Sequence, residues 1–91
     1  MITLTFYRDE PEQEPIEVGS ISYDGIETTF TGQGERIATG LPVRTPGPDS
    51  KRLMLTDAPA YWLRHAAARY SNGYGYATLS DDASIPSEAV A

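Results

Sequence analysis

The stretch from residue 57 to residue 71 constrains the fold more than any other part of this 91-residue sequence. Its apolar residues recur at i, i+3, i+4, i+7, i+8 and i+11, which is the spacing of one face of an α-helix. The members of this stripe are Pro59, Trp62, Leu63, Ala66, Ala67 and Tyr70. A helix with one apolar face must bury that face against a second layer. The rest of the chain therefore has to supply a surface that covers the stripe.

Local signals mark both ends of this helix. Thr56 or Asp57 is expected to cap its first turn, where Pro59 lacks an N–H that would need a partner. At the other end, Asn72-Gly73 predicts a left-handed stop, and Arg69 in the last turn complements the helix dipole.

Two segments near the N-terminus predict part of the covering layer. Residues 2–7 alternate with the period of a half-buried strand. Residues 18–23 and 26–31 flank Asp24-Gly25, a dipeptide that favours a two-residue type I′ turn, and so predict a hairpin. Across that turn five side chains are expected to share one face: Ile21, Tyr23, Ile26, Thr28 and Phe30.

The remaining strands are predicted from shorter signals. A β-bulge is expected at Gly19-Ser20, because the apolar residues on either side of it are out of phase. Residues 51–55 predict a short strand, and residues 74–79 alternate as a last strand beside the helix. Residues 36–39 fit either a short strand or a helical turn.

These elements predict an α+β fold, a small antiparallel sheet of four to five strands with one amphipathic helix packed across it. Residues 1–79 are expected to form this single domain, which is near the lower size limit for a chain that folds alone. Residues 80–91 are small and polar and include Pro86, so we expect a flexible C-terminal tail.

The sequence contains no cysteine, which excludes a disulfide framework, a thiolate metal site and a cysteine nucleophile. This composition favours a reducing compartment. The first residues carry no signal-peptide pattern, and no segment approaches the roughly 20 apolar residues of a membrane span. We therefore expect a soluble, cytoplasmic protein that does not act at a membrane.

Charge is distributed unevenly around the formal net value of −6. Residues 1–35 carry a net charge of −7, much of it in the acidic loop 9–17, whereas residues 36–70 carry a net charge of +4. Such asymmetry can mark a basic face for an acidic partner. More commonly, the two regions neutralise each other across the fold or keep the protein in solution.

The sequence contains no pattern typical of catalysis or of cofactor binding. His65 is the only histidine, and no G-x-S-x-G motif accompanies it. Gly32-Gln33-Gly34 lacks the third glycine of a dinucleotide-binding loop, because Ile37 stands at that position. The acidic residues of loop 9–17 lack the spacing of a calcium loop. We predict a protein that is not an enzyme and has neither a cofactor nor a metal site.

Arginine and tyrosine residues cluster around the second half of the helix. The candidate binding residues are Tyr61, Arg64, His65, Arg69, Tyr74 and Tyr76. Tyr and Arg often anchor protein interfaces, and the same pair can hold single-stranded nucleic acid. A third interpretation is that the two strand tyrosines, Tyr74 and Tyr76, pack on the sheet.

The function predicted from this cluster is that of a small protein-interaction module, an accessory or inhibitory subunit that docks on another protein. Six arginines to one lysine, with ten alanines, suggest a GC-rich bacterial, archaeal or phage genome, and the hypothesis includes a subunit encoded by a phage or a mobile element. Nucleic-acid binding through residues 36–70 is the first alternative, but the sequence pI of about 4.5 argues against it. The second is an acidic DNA mimic built on loop 9–17. The sequence does not determine the oligomeric state.

Overall fold

A computed structural model describes residues 1–70 and 75–90. The strands are β1 (Ile2–Arg8), β2 (Ile16–Tyr23), β3 (Thr28–Gly32), β4 (Val43–Arg44), β5 (Arg52–Leu53) and β6 (Gly75–Asp81). The helices are α1 (Gly34–Gly40) and α2 (Pro59–Tyr70). The predicted helix stop at Asn72-Gly73 lies outside the described residues. Within the described ranges, neither helix has the length and apolar character that crossing a bilayer requires.

Four strands form one antiparallel sheet in the order β3-β2-β1-β6, and β4 and β5 pair separately as a short ribbon. This confirms the predicted α+β class. The number of helices differs from the prediction, because α1 occupies the region that fitted either a strand or a helical turn. Its seven residues have glycine at both ends, so its local helical signal is weak.

The core lies between the sheet and α2. The inward side chains of β1, from Ile2 to Phe6, are fully buried, as are Trp62, Leu63 and Ala66 of α2. Phe6 meets Tyr70 edge-on, with ring centroids 4.8 Å apart. Burying one large apolar side chain contributes about 1.5–3 kcal/mol. The predicted stripe is therefore the face that holds α2 on the sheet.

The β2–β3 hairpin is confirmed, but its turn was predicted wrongly. The ladder ends at the pair Tyr23–Thr28, so the loop has four residues rather than two. The Asp24 carboxylate accepts hydrogen bonds from the backbone N–H groups of Ile26 (2.8 Å) and Glu27 (2.7 Å). This aspartate-stabilised turn replaces the type I′ geometry. It leaves Ile26 89% exposed instead of inward.

The expected β-bulge occurs one residue earlier than predicted. Phe6 pairs with Gly19 and Tyr7 pairs with Glu17, so Val18 is the extra residue on β2. The bulge brings Ile21 onto the core face, where it is fully buried.

The opposite face of the sheet carries two rows of hydroxyl side chains that each cross all four strands. Thr29, Ser22, Thr3 and Ser80 form one row, and Thr31, Ser20, Thr5 and Thr78 form the other. Hydroxyls on neighbouring strands bond to each other, at 3.2 Å between Thr3 and Ser22 and at 2.6 Å between Ser20 and Thr31. Such pairs stabilise a polar sheet face.

Candidate protein-interaction site

Three of the predicted binding residues lie together on α2, outside the buried stripe. The rings of Tyr61 and His65 stack with centroids 3.9 Å apart, and His65 Nδ1 lies 2.8 Å from the carbonyl oxygen of Tyr61. Arg69, in the last turn, is exposed. We call Tyr61, His65 and Arg69 the helix surface.

Arg64 has an internal role. Its Nε and Nη2 atoms donate to the two carboxylate oxygens of Asp81 at 2.7 and 3.1 Å. The guanidinium also donates to the Ser87 hydroxyl and to the carbonyl oxygen of Ile85, both at 2.6 Å. The hydrogen bond between Arg64 and Asp81 raises the pKa of the arginine and lowers that of the aspartate. Arg64 thus joins α2 to β6 and to the segment that follows β6.

Tyr76 lies on a different face from the helix surface. It pairs across the ladder with Tyr7, whereas its neighbour Ala77 pairs with the buried Phe6. Successive side chains of a strand point to opposite faces, so Tyr76 belongs to the face with the hydroxyl rows. There it stacks on Tyr7 with centroids 5.1 Å apart. Tyr74 lies outside the described residues.

Glu88 caps the N-terminus of α2, a role that the sequence analysis assigned to Thr56 or Asp57. Its carboxylate accepts hydrogen bonds from the backbone N–H groups of Ala60 (3.1 Å) and Tyr61 (3.0 Å). Asp57 instead accepts from the N–H of Met54 at 3.0 Å. A carboxylate at this position is favoured by the helix dipole. No local spacing could have indicated this cap, because Glu88 follows the helix start by almost thirty residues.

Residues 82–90 run back along the domain, and we call them the C-terminal strap. The Asp82 carboxylate lies 2.7 Å from the Met1 amino nitrogen, a contact that holds the pKa of Asp82 well below its usual range. Ile85 packs against the core cluster. The predicted flexibility of residues 80–91 stays a prediction. The contacts of Asp82, Ile85 and Glu88 favour the opposite, an ordered strap, and backbone NMR relaxation distinguishes the two, because a flexible tail would show low order parameters.

The Glu88 cap is expected to weaken in acid. Burial raises the pKa of Glu88, but hydrogen bonds from backbone N–H groups, among them those of Tyr61 and Ala60, act with the positive charge of Arg64 to bring the pKa below its ordinary value of 4.5. A carboxylate with a depressed pKa stabilises the fold above its unfolded pKa and loses that contribution as pH falls through the folded value. The Ala60 and Tyr61 amide chemical shifts should therefore titrate in acid, with a midpoint below the ordinary value of 4.5 for a glutamate.

A matched variant separates this effect from general acid unfolding. In the Glu88→Gln variant, the Ala60 and Tyr61 amide shifts should no longer titrate in acid. The resonances of the core residues should stay at their wild-type positions. The cap assignment is wrong if these amides titrate equally in both proteins.

A groove of about 430 Å³ opens between β3, α1 and the segment that contains β5. The apolar residues of its lining differ in exposure. Leu55 is buried, Leu41 and Leu53 are half-buried, and Phe30 and Met54 are exposed. Met54 is 60% exposed. Arg52 and Glu35 are the charged residues of the lining. No sequence pattern brought these apolar residues together, because nothing in the sequence placed α1 beside residues 52–56.

Basic residues next to this groove have no acidic partner within the described part of the chain. Arg44 and Arg52 are directly opposite each other in the β4–β5 ribbon, with Lys51 beside them. All three are exposed, and none forms an ion pair with a described residue. The positive charge predicted for residues 36–70 is thus partly gathered beside the groove.

The acidic loop 9–17 and the metal-ligating residue types contribute less to a site. In the acidic loop, Arg8 pairs with Glu10 at 2.7 Å, while Glu12 and Glu14 are exposed. Across residues 1–70 and 75–90, no group of three or more His, Cys, Asp or Glu side chains is arranged to hold a metal ion.

No protein-family model, no curated protein and no solved structure matches this chain. Functional inference therefore depends on the chain's own geometry, and the groove with its basic edge is the feature best suited to binding.

Proposed function

We propose that this chain is a small, non-catalytic protein-interaction module whose partner inserts an apolar side chain into the groove. The observation that supports the proposal is the set of partly exposed apolar residues that line one concavity, chiefly Phe30, Leu41, Leu53 and Met54. Apolar residues scattered singly over a surface need no explanation, whereas a concavity lined mainly by apolar side chains is typical of a binding pocket.

The groove has the character of an anchor pocket. Interface energy is concentrated in a few side chains that fill well-packed pockets. Methionine at the mouth suits this use, because its unbranched, polarizable side chain adapts to different apolar surfaces. The proposed role is that of an accessory or inhibitory subunit, and the absence of cysteine supports a cytoplasmic setting.

Site-specific crosslinking tests the proposal. A photo-reactive amino acid is placed at Met54 on the groove, at Tyr61 on the helix surface, or at Thr78 on the hydroxyl face. After irradiation in lysate of the source cells, a discrete protein adduct is expected from position 54 and none from position 78. Adducts confined to position 61 would move the site to the helix surface. Equal labelling from all three positions, or none, would contradict a specific interface.

The affinity of the captured partner for variants of this chain gives a quantitative test. Phe30→Ala combined with Met54→Ala should weaken its binding at least about tenfold, because truncating an interface anchor typically costs more than 1 kcal/mol per residue. Thr78→Ala is the matched surface control and should bind like the wild type. Circular dichroism confirms that each variant is folded.

A further inference from the structure

We infer that the partner segment carries a carboxylate beside its apolar anchor, and that Arg44 and Arg52 bind this carboxylate. The inference rests on the proposed function and adds the chemistry of the partner. Its basis is the register of the short ribbon, where Arg44 and Arg52 form one cross-strand pair.

Two arginines in this position repel each other. Directly opposed residues on neighbouring strands have Cβ atoms about 5 Å apart, and like charges in such a pair are destabilising. Neither arginine forms an ion pair with a described carboxylate. An anion held between the two guanidinium groups would turn this repulsion into two charge-assisted hydrogen-bonding interactions, since the arginine fork matches carboxylate geometry.

The ribbon that carries the arginines is held in place by the core. Val43 is almost fully buried beside Arg44. The buried Thr45 donates its N–H to the Lys51 carbonyl at 3.0 Å and accepts from the Lys51 N–H through its hydroxyl at 2.9 Å. These bonds close the loop between β4 and β5. A preorganised site loses less conformational entropy on binding.

The position of Arg52 joins the charged and apolar parts of the site. Arg52 belongs both to the arginine pair and to the groove lining, whereas Glu35 is the acidic residue of that lining. A partner carboxylate is therefore attracted to the Arg52 side and repelled by Glu35. This polarity favours a peptide with an acidic residue close to a large apolar one.

A peptide fits this site better than a nucleic acid. Nucleic-acid affinity depends on neutralising many phosphates along an extended basic surface. Here the arginine pair adjoins an apolar groove, and residues 1–35 carry a net charge of −7 that would repel a polyanion. A short acidic segment needs only local charge complementarity.

Selection from a random twelve-residue peptide library displayed on phage, with the full chain as target, tests the inference. Enriched peptides should carry Asp or Glu within a few residues of Leu, Met, Phe or Trp. Arg44→Gln combined with Arg52→Gln should weaken the best peptide at least about tenfold, and the wild-type affinity should fall as salt is added. Arg8→Gln combined with Arg36→Gln makes the same change in net charge outside the groove lining and the helix surface, and should have less than a twofold effect.

The outcomes separate the inference from the proposed function. Peptides that depend on Phe30 and Met54 but tolerate loss of Arg44 and Arg52, or that are neutral or basic, would overturn the inference alone. A library without enriched binders, or binders insensitive to every groove variant, would overturn the proposed function as well. A shift of labelled single-stranded DNA that disappears in the arginine-pair variant would reassign the pair to phosphate binding.

Discussion

Trp62→Ala is expected to lower the free energy of unfolding by about 3–5 kcal/mol, the usual cost of truncating a buried Trp to Ala. Trp62 is the largest fully buried side chain, and it lies on the stripe that joins α2 to the sheet. Native domains are stable by only about 5–15 kcal/mol, and a small one has few other core contacts to compensate. Urea denaturation followed by circular dichroism should show a much lower midpoint or no folded baseline.

Trp62→Phe is the matched control. The indole N–H of Trp62 is buried and has no hydrogen-bond partner among the described residues. Phenylalanine therefore removes no hydrogen bond, keeps most of the apolar volume and should cost clearly less than alanine. Equal destabilisation by the two substitutions would contradict a role based on packing.

Gly34→Ala is expected to cost about 1–3 kcal/mol, the typical range for forcing an extra group into a packed site. Gly34 is buried where α1 meets β2, and a Cβ there would collide with the carbonyl oxygen of Ser20 and lie 2.9 Å from its carbon. Because the backbone of β2 cannot move alone, α1 should shift. Ala38, which lines the groove, would shift with it and weaken partner binding.

Gly40→Ala, at the other end of α1, makes the same chemical change in open space. A Cβ at position 40 meets no atom within 4 Å, and Gly40 does not have a positive φ. Here alanine should stabilise the fold by about 0.4–1 kcal/mol, mainly by restricting the unfolded chain. Thermal unfolding of both variants should give shifts of opposite sign. Destabilisation of similar size at both positions would contradict the close approach at Gly34.

The parts of the fold that were predicted correctly depend on the periodicity of neighbouring residues. The helical stripe of α2 and the alternation of β1 fall on the buried faces, because side-chain direction follows from backbone period. The β-bulge was predictable for the same reason, since a phase break on a half-buried strand has to be absorbed locally.

The errors fall where residues distant in sequence compete with a local signal. Thr56 and Asp57 are good N-cap residues, yet the Glu88 carboxylate occupies that role. Arg64 has the spacing of an exposed helical residue, but Asp81 and the strap surround its guanidinium. Ordinary helix spacing cannot distinguish an arginine bound to a partner from one bound to the end of its own chain.

The site itself was beyond sequence reasoning. Phe30, Leu41 and Met54 belong to three separate segments, and each fits an unremarkable place in a strand or loop. The repulsive pairing of Arg44 with Arg52 also requires the register of a ribbon with only two residues in each strand. Strands this short have little periodicity to detect.

By itself, the amino-acid order determined which face of α2 and of β1 is apolar, and hence that a helix packs on an antiparallel sheet. These properties depend on residues two to four positions apart, whose relative directions are set by backbone geometry. Tertiary structure alone decided the Glu88 cap, the Arg64–Asp81 pair and the groove beside Arg52. Each of these joins groups far apart along the chain, and their distances exist only after the sheet and helices have packed.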